Sequence, residues 1–156
     1  MAFELSSPAF KEGGMIPLRH SCKGEDLSPP LQWGEAPPGT KSFALTMEDP
    51  DAPKGVWVHW VAYGIPATLS SLPGGISPGE ALPTGGLQGM ASGVDSFSAL
   101  GYRGPCPPFG THHYVFRLFA LDRALRLRPK ADVFELRKAM KGHVLGQAVL
   151  TGIFKK

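Results

Sequence analysis

A chain of 156 residues with Lys+Arg 16 against Asp+Glu 13 carries a formal net charge of +3. That length suits one domain, residues 1–156, and buries roughly 70% of the surface of its unfolded chain, so no metal or disulfide staple is required. The basic residues are scattered, with no run dense enough to track a phosphate backbone; this excludes nucleic acid, while the mild positive balance fits small anions.

Read from the start, MAFELSSPAF places Glu4 and Pro8 where a signal peptide needs a basic end followed by an apolar stretch. The longest apolar region, VWVHWVAYGI, is far short of the ~20 residues that span a bilayer. A cytoplasmic protein without stable membrane insertion is therefore expected. Cys22 and Cys106 match neither a zinc nor a redox CxxC spacing. Each sits in a Pro-rich segment, so the two can flank one pocket and can bridge. In the cytoplasm, however, the expectation is two reduced, partly buried thiols. The chain has no asparagine and three glutamines, and loss of thermolabile amides is one thermophile habit.

Gly 20 and Pro 16 together leave little room for long helices and favour short strands joined by turns. The stretch GEAPPGTKS (34–42) has the look of a phosphate-binding loop, but its lysine sits one place late and Pro37 and Pro38 remove two amides. Strands are predicted over 41–49, 55–65, 112–122 and 148–154, rich in Val, Phe, Trp, Tyr and Leu. None alternates cleanly, as expected of central strands covered on both faces. Between 66 and 111 lie 46 residues without periodicity. Long ordered loops tend to be functional, and short strands can hide in this one. Within it, Gly75-Ile76-Ser77-Pro78-Gly79 fits the G-x-S-x-G elbow of serine hydrolases and fails its mechanism. The residue after the serine must donate its amide, and Pro78 has none. One helix follows Pro129, capped by Asp132, with Val133, Leu136 and Met140 at helical spacing and Gly142 to end it. It reads as a cover for the sheet.

Polar residues gather at the ends of two strong strands. In MEDPDAPKGVWVHW (47–60), Asp49 and Asp51 bracket Pro50, and alternation puts His59 on one face with Trp57, Val61 and Tyr63. In GPCPPFGTHHYVF (104–116), His112 shares a face with Tyr114 and Phe116, while His113 goes with Val115 and Arg117. Asp49-Pro50-Asp51-Ala52-Pro53 followed by Trp57-Val58-His59 resembles the first signature of the phosphatidylethanolamine-binding protein family, which includes the Raf kinase inhibitor protein. Gly104-Pro105-Cys106-Pro107-Pro108 followed by Gly110-Thr111-His112-His113-Tyr114-Val115-Phe116 resembles its second. Ser28-Pro29-Pro30-Leu31-Gln32-Trp33 and the tail from Gly142-His143-Val144-Leu145 to Ala148-Val149-Leu150-Thr151-Gly152 are similar to the shorter bacterial and archaeal branch. The likeness covers essentially the whole chain, in order.

The resemblance implies a mainly β fold, a Greek-key β-sandwich with small peripheral helices and a small anion pocket at one end. Carried over by motif, the ligand-binding residues are Asp49, His59, His112 and Tyr114, with Asp51 in the same turn and Trp57, Pro107, Pro108 and Gly110 as wall and rim. No catalytic residue, metal ligand or cofactor is assigned. His113 stands where better-known members carry arginine, and Gly93-Val94-Asp95 stands for a Gly-x-Asn element of prokaryotic relatives. The expected partner is a small anion: a phosphate ester, a phosphoethanolamine-like headgroup or a carboxylate. A regulated kinase or protease and a second copy of the chain stay open.

The residue types suit that ligand. A phosphate monoester offers three acceptor oxygens and about −1.5 to −2 charge near neutral pH. Two imidazoles, the Tyr114 hydroxyl and the amides of the Gly110–Thr111 turn can donate to it, at roughly 1.5–3 kcal/mol for each charge-assisted bond. Asp49 is expected to accept from a ring nitrogen of one histidine, fixing its tautomer and favouring the imidazolium. The alternative is a hydrolase in which Asp49, His59 and His112 hold a metal or act as acid and base on a phosphoester. No activated nucleophile and no HxH or HxxxH spacing accompanies them.

Overall fold

Two antiparallel sheets and one helix carry the chain in a computed structural model that describes residues 2–53, 55–93 and 98–156. The larger sheet is built from the long apolar runs. Strand β3 (Ser42–Asp49) pairs with β4 (Trp57–Pro66) on one side and with β9 (Thr111–Leu121) on the other, and β10 (Val144–Lys155) closes the edge beside β9. Short strands β6 (Leu87–Gln88), β7 (Met90–Ser92) and β8 (Ser98–Leu100) extend the β4 side. The order β9-β3-β4-β7 is that of a Greek key, with the fourth strand returning to lie beside the first. A smaller sheet, β1 (Leu5–Ser6), β2 (Leu31–Trp33) and β5 (Ser71–Leu72), covers one face. Leu5, Leu31, Trp33 and Leu72 from it interlock with Phe43, Leu45, Met47, Trp60, Phe116 and Leu118 to form the sandwich core.

The opposite face is sealed by α1 (Val133–Met140), the one α-helix among the described residues. Asp132 accepts from the Glu135 amide and Glu135 reaches back to the Asp132 amide, a capping box that satisfies two of the donors a helix start leaves open. Val133, Leu136 and Met140 then bury against Ala44, Val58, Val61, Tyr63 and Leu121. The covering role read from the sequence is the one observed. Among the described residues the small peripheral helices are this helix and a single 3-10 turn, Leu18–His20.

The long segment 66–111 does hide strands, β5 to β8, each two or three residues long and so below the length at which periodicity shows. Its organiser is Gln88, fully buried. The side chain accepts from Trp60 Nε1 at 2.8 Å and donates to the Ser77 and Gly79 carbonyls at 2.9 and 3.0 Å. The hydrolase-like GISPG stretch is thus a turn fastened by a buried amide. Two further expectations are corrected. Cys22 and Cys106 are bridged, with Cα atoms 5.4 Å apart, rather than reduced. And β4 breaks its alternation: Met47 faces Trp60 while Glu48 faces Val58, which leaves His59 as the extra residue of a bulge.

Candidate functional site

That bulge decides where His59 points. On unbroken alternation His59 would join Val61 and Tyr63, which pack on the helix side. The extra residue turns it instead to the sandwich side, where Trp57, His112 and Tyr114 also lie. Asp49 ends β3 beside Trp57, on the face of Leu45 and Met47, and β9 brings His112 and Tyr114 alongside with Phe116 and Leu118. Three adjacent strand ends therefore converge on one cavity of about 510 Å³. That is ample for a small molecule.

Asp49, His59, His112 and Tyr114 are all buried in its wall. His112 Nδ1 lies 2.7 Å from Asp49 Oδ2, and a ring nitrogen facing a carboxylate must be the N–H donor. Asp49 Oδ1 accepts the Asp51 amide at 2.8 Å, so both carboxylate oxygens are engaged. His59 Nδ1 donates to the Arg103 carbonyl at 2.6 Å, and the Arg103 amide donates back to the His59 carbonyl at 2.9 Å. Burial holds the His59 imidazole below its ordinary range, so the ring is neutral near pH 7. Its ring stands edge-on to Tyr114, centroids 5.3 Å apart. The Tyr114 hydroxyl makes no hydrogen bond of ordinary geometry, lying near the Asp49 carboxylate and the Cys106 backbone, and burial with the Asp49 charge pushes its proton loss far above the usual tyrosine range. It is a neutral donor in the cavity wall.

Trp57, Pro107 and Pro108 line the cavity as the family motif implies, and Gly93 packs so closely on the Trp57 indole that a Cβ there would collide with it. Asp51 and Gly110 do not line it. Asp51 points to the other side of β9, where Oδ2 accepts both the His113 amide and His113 Nδ1 at 2.7 Å. Gly110 sits in the exposed turn before β9 at φ +69°, its carbonyl accepting the Lys156 amide, and neither it nor Thr111 lines the cavity. Asp95 lies outside the described residues.

The sequence left Cys22 and Cys106 open as bridged flanks of one pocket, which is where they lie, and did not single out Asp26 or Arg103 as walls. Asp26 enters from the loop after the 3-10 turn and accepts the Gly104 amide at 2.9 Å; burial raises its carboxyl above the ordinary range. A Cβ on Gly104 would collide with the His20 carbonyl and the Asp26 carboxylate, so that glycine is what lets the two loops meet. Cys22 and Cys106 form the wall between them. Glycine and cysteine in a Pro-rich setting were the available signals; for Asp26 and Arg103 the sequence held none.

A family model described as phosphatidylethanolamine-binding protein matches residues 6–155. The UPF0098 protein of Methanothermobacter thermautotrophicus is 46% identical over 152 residues, 97% of this chain and 98% of that relative. A Mycobacterium tuberculosis relative that carries a lipoprotein name, LppC, is 40% identical over 156 residues, 97% of this chain and 71% of its own length. Two solved structures superpose with a TM-score of 0.88: the Chlamydia trachomatis PEBP homolog CT736, 35% identical over 99% of this chain and 98% of its own, and Escherichia coli YbcL, described as a new member of the mammalian PEBP family, 32% identical over 100% and 99%. The chain belongs to the phosphatidylethanolamine-binding protein family, in company with the proteins named UPF0098.

Proposed function

We propose that the protein binds a small oxyanion, a phosphate monoester or a carboxylate, in the cavity between the ends of β3, β4 and β9. The observation that carries this reading is the convergence of His59, His112 and Tyr114, three rings that carry hydrogen-bond donors, on one cavity of ligand size. A ligand oxygen gives the Tyr114 hydroxyl the well-formed hydrogen bond that it lacks within the protein. The Asp49–His112 bond fixes the tautomer of that ring and orients it in the cavity wall.

Affinity is expected to rise as pH falls. His59 is held neutral by burial, so its contribution arrives only below the ordinary histidine value of about 6.5. Calorimetric titration of phosphoethanolamine and O-phosphoserine from pH 8 to pH 5 tests this. A flat profile, or binding untouched by His59→Ala and His112→Ala, defeats the reading.

The hydrolase alternative finds no support. No serine, threonine or free thiol lines the cavity among the described residues, both cysteines being bridged. Among the same residues no three His, Cys, Asp or Glu side chains gather as a metal-holding group, and the relatives described above are not named as enzymes. Regulation of a kinase or protease would act through surfaces outside this cavity and is a separate proposal. A cytoplasmic home fits a bridged chain only where the cytosol tolerates disulfides; no helix among the described residues is long and apolar enough to cross a membrane.

A further inference from the structure

The charges in the cavity wall do not obviously favour an anion. Two carboxylates, Asp26 and Asp49, face two imidazoles whose Nδ1–H groups are already committed, one to the Arg103 carbonyl and one to Asp49. When the rings are neutral, each Nε2 is a lone pair and repels an oxyanion's acceptors. Among the described residues in the lining, that leaves Arg103 as the one permanent cation.

Arg103 is mounted for such a role. Its backbone is fixed twice to His59 and is flanked by Tyr102, whose hydroxyl donates to the His20 carbonyl at 2.6 Å, and by the tightly packed Gly104. Its side chain, by contrast, is exposed, and no hydrogen bond or ion pair holds the guanidinium among the described residues. Its charge is felt by Asp26 without a bonded pair forming. A rigid mount with an unpaired fork beside a cavity is the arrangement in which arginine grips two oxygens of one anion.

We propose that Arg103 is the residue that captures the anion at neutral pH and sets its class: a phosphate monoester in preference to a diester. A guanidinium fork takes two terminal oxygens and the Tyr114 hydroxyl takes a third; a monoester presents three, whereas a diester presents two and leaves Tyr114 unpaired. The proposal rests on the anion-binding reading of the same cavity.

Calorimetry at pH 8.0 with glycerol 2-phosphate as monoester and dimethyl phosphate as diester tests it, on wild type, Arg103→Ala, Arg103→Lys and His112→Ala. The wild type is expected to bind the monoester at least ~10-fold more tightly than the diester. Arg103→Ala loses roughly 10- to 100-fold in monoester affinity and most of the preference, and Arg103→Lys, which keeps charge without the fork, restores only part. Because the side chain is exposed and its fixed contacts are backbone, the thermal midpoint should not move; Arg103→Gln substitutes if Arg103→Ala does not fold. Monoester affinity within about twofold of wild type in Arg103→Ala, with His112→Ala defective, overturns the role of Arg103 and leaves the anion reading standing. Equal affinity of the wild type for monoester and diester overturns the class assignment. A wild type that binds neither compound from pH 5 to pH 8 removes the anion reading itself, and this inference with it.

Discussion

Two aspartate–histidine pairs, one residue apart along β9, share the same 2.7 Å bond and differ in almost everything else. In Asp49–His112 the side chains are 5% and 6% exposed; in Asp51–His113 they are 42% and 57% exposed. The strand's alternation sends the first pair into the cavity and the second into solvent. Inside, water cannot compete for the partners or screen them, so the bond fixes a tautomer and aims a ring. Outside, an ion pair of the same length contributes about 0–1 kcal/mol and weakens further with salt. Bond length therefore says little about role. Burial and the company of Tyr114 and His59 separate a candidate ligand group from a loop fastener.

The coarsest way to break the comparison is to release the wall on one side of it. The Cys22–Cys106 bridge joins residues 84 apart and lines the cavity. The double variant Cys22→Ser/Cys106→Ser should lose roughly 4 kcal/mol, mostly through the freed unfolded chain. Amide exchange should quicken in residues 17–27 and 102–108 before it does around Asp51 and His113. An unchanged urea midpoint would mean the bridge adds nothing to the fold.

Next in size is Asp49→Ala. It strands two donors, His112 Nδ1–H and the Asp51 amide, at about 2–3 kcal/mol in all. Anion binding should disappear with it. A variant as stable as wild type and still binding would show that the buried pair orients nothing.

How much of this was readable in advance follows length and periodicity. Strands β3, β4 and β9 run eight to eleven residues of β-branched and aromatic side chains, and α1 carries its cap in Asp132 and its stripe in Val133, Leu136 and Met140. Such signals survive without tertiary context. Strand β10 begins at Val144, four residues before its predicted start, because the irregular step between Val144 and Gly146 interrupts the pattern. The split between His112 and His113 was legible, since alternation holds along β9. His59 was legible as a residue and misread as a face, because no sequence rule announces a bulge opposite Met47 and Glu48. Asp26 and Arg103 come from aperiodic loops whose meeting depends on a glycine too close for any side chain.

Tyr114→Phe sharpens the contrast by a smaller step and in two directions at once. The hydroxyl is buried without a well-formed hydrogen bond, so its removal should stabilise the free protein by up to about 1 kcal/mol. The same change should weaken monoester binding about tenfold, since the donor is lost. Stability falling together with affinity would point to a partner inside the protein and against a hydroxyl reserved for ligand.

The smallest effect belongs to the outer pair, and pH gives its sign. His113 beside Asp51 holds that carboxyl below its ordinary value of 3.8. The folded state therefore binds the proton less readily than the unfolded chain, and the pair's contribution is present above about pH 4 and fades as pH falls below it. With both side chains in solvent the contribution is a few tenths of a kcal/mol. Urea midpoints of wild type and Asp51→Asn, followed from pH 6 to pH 3, should converge at the acid end, and 1 M salt should shrink the gap throughout. His113→Ala should leave anion binding untouched while His112→Ala removes it. A gap that stays constant to pH 3, or a His113 variant that cannot bind, would erase the distinction between the two pairs on which the reading of this cavity depends.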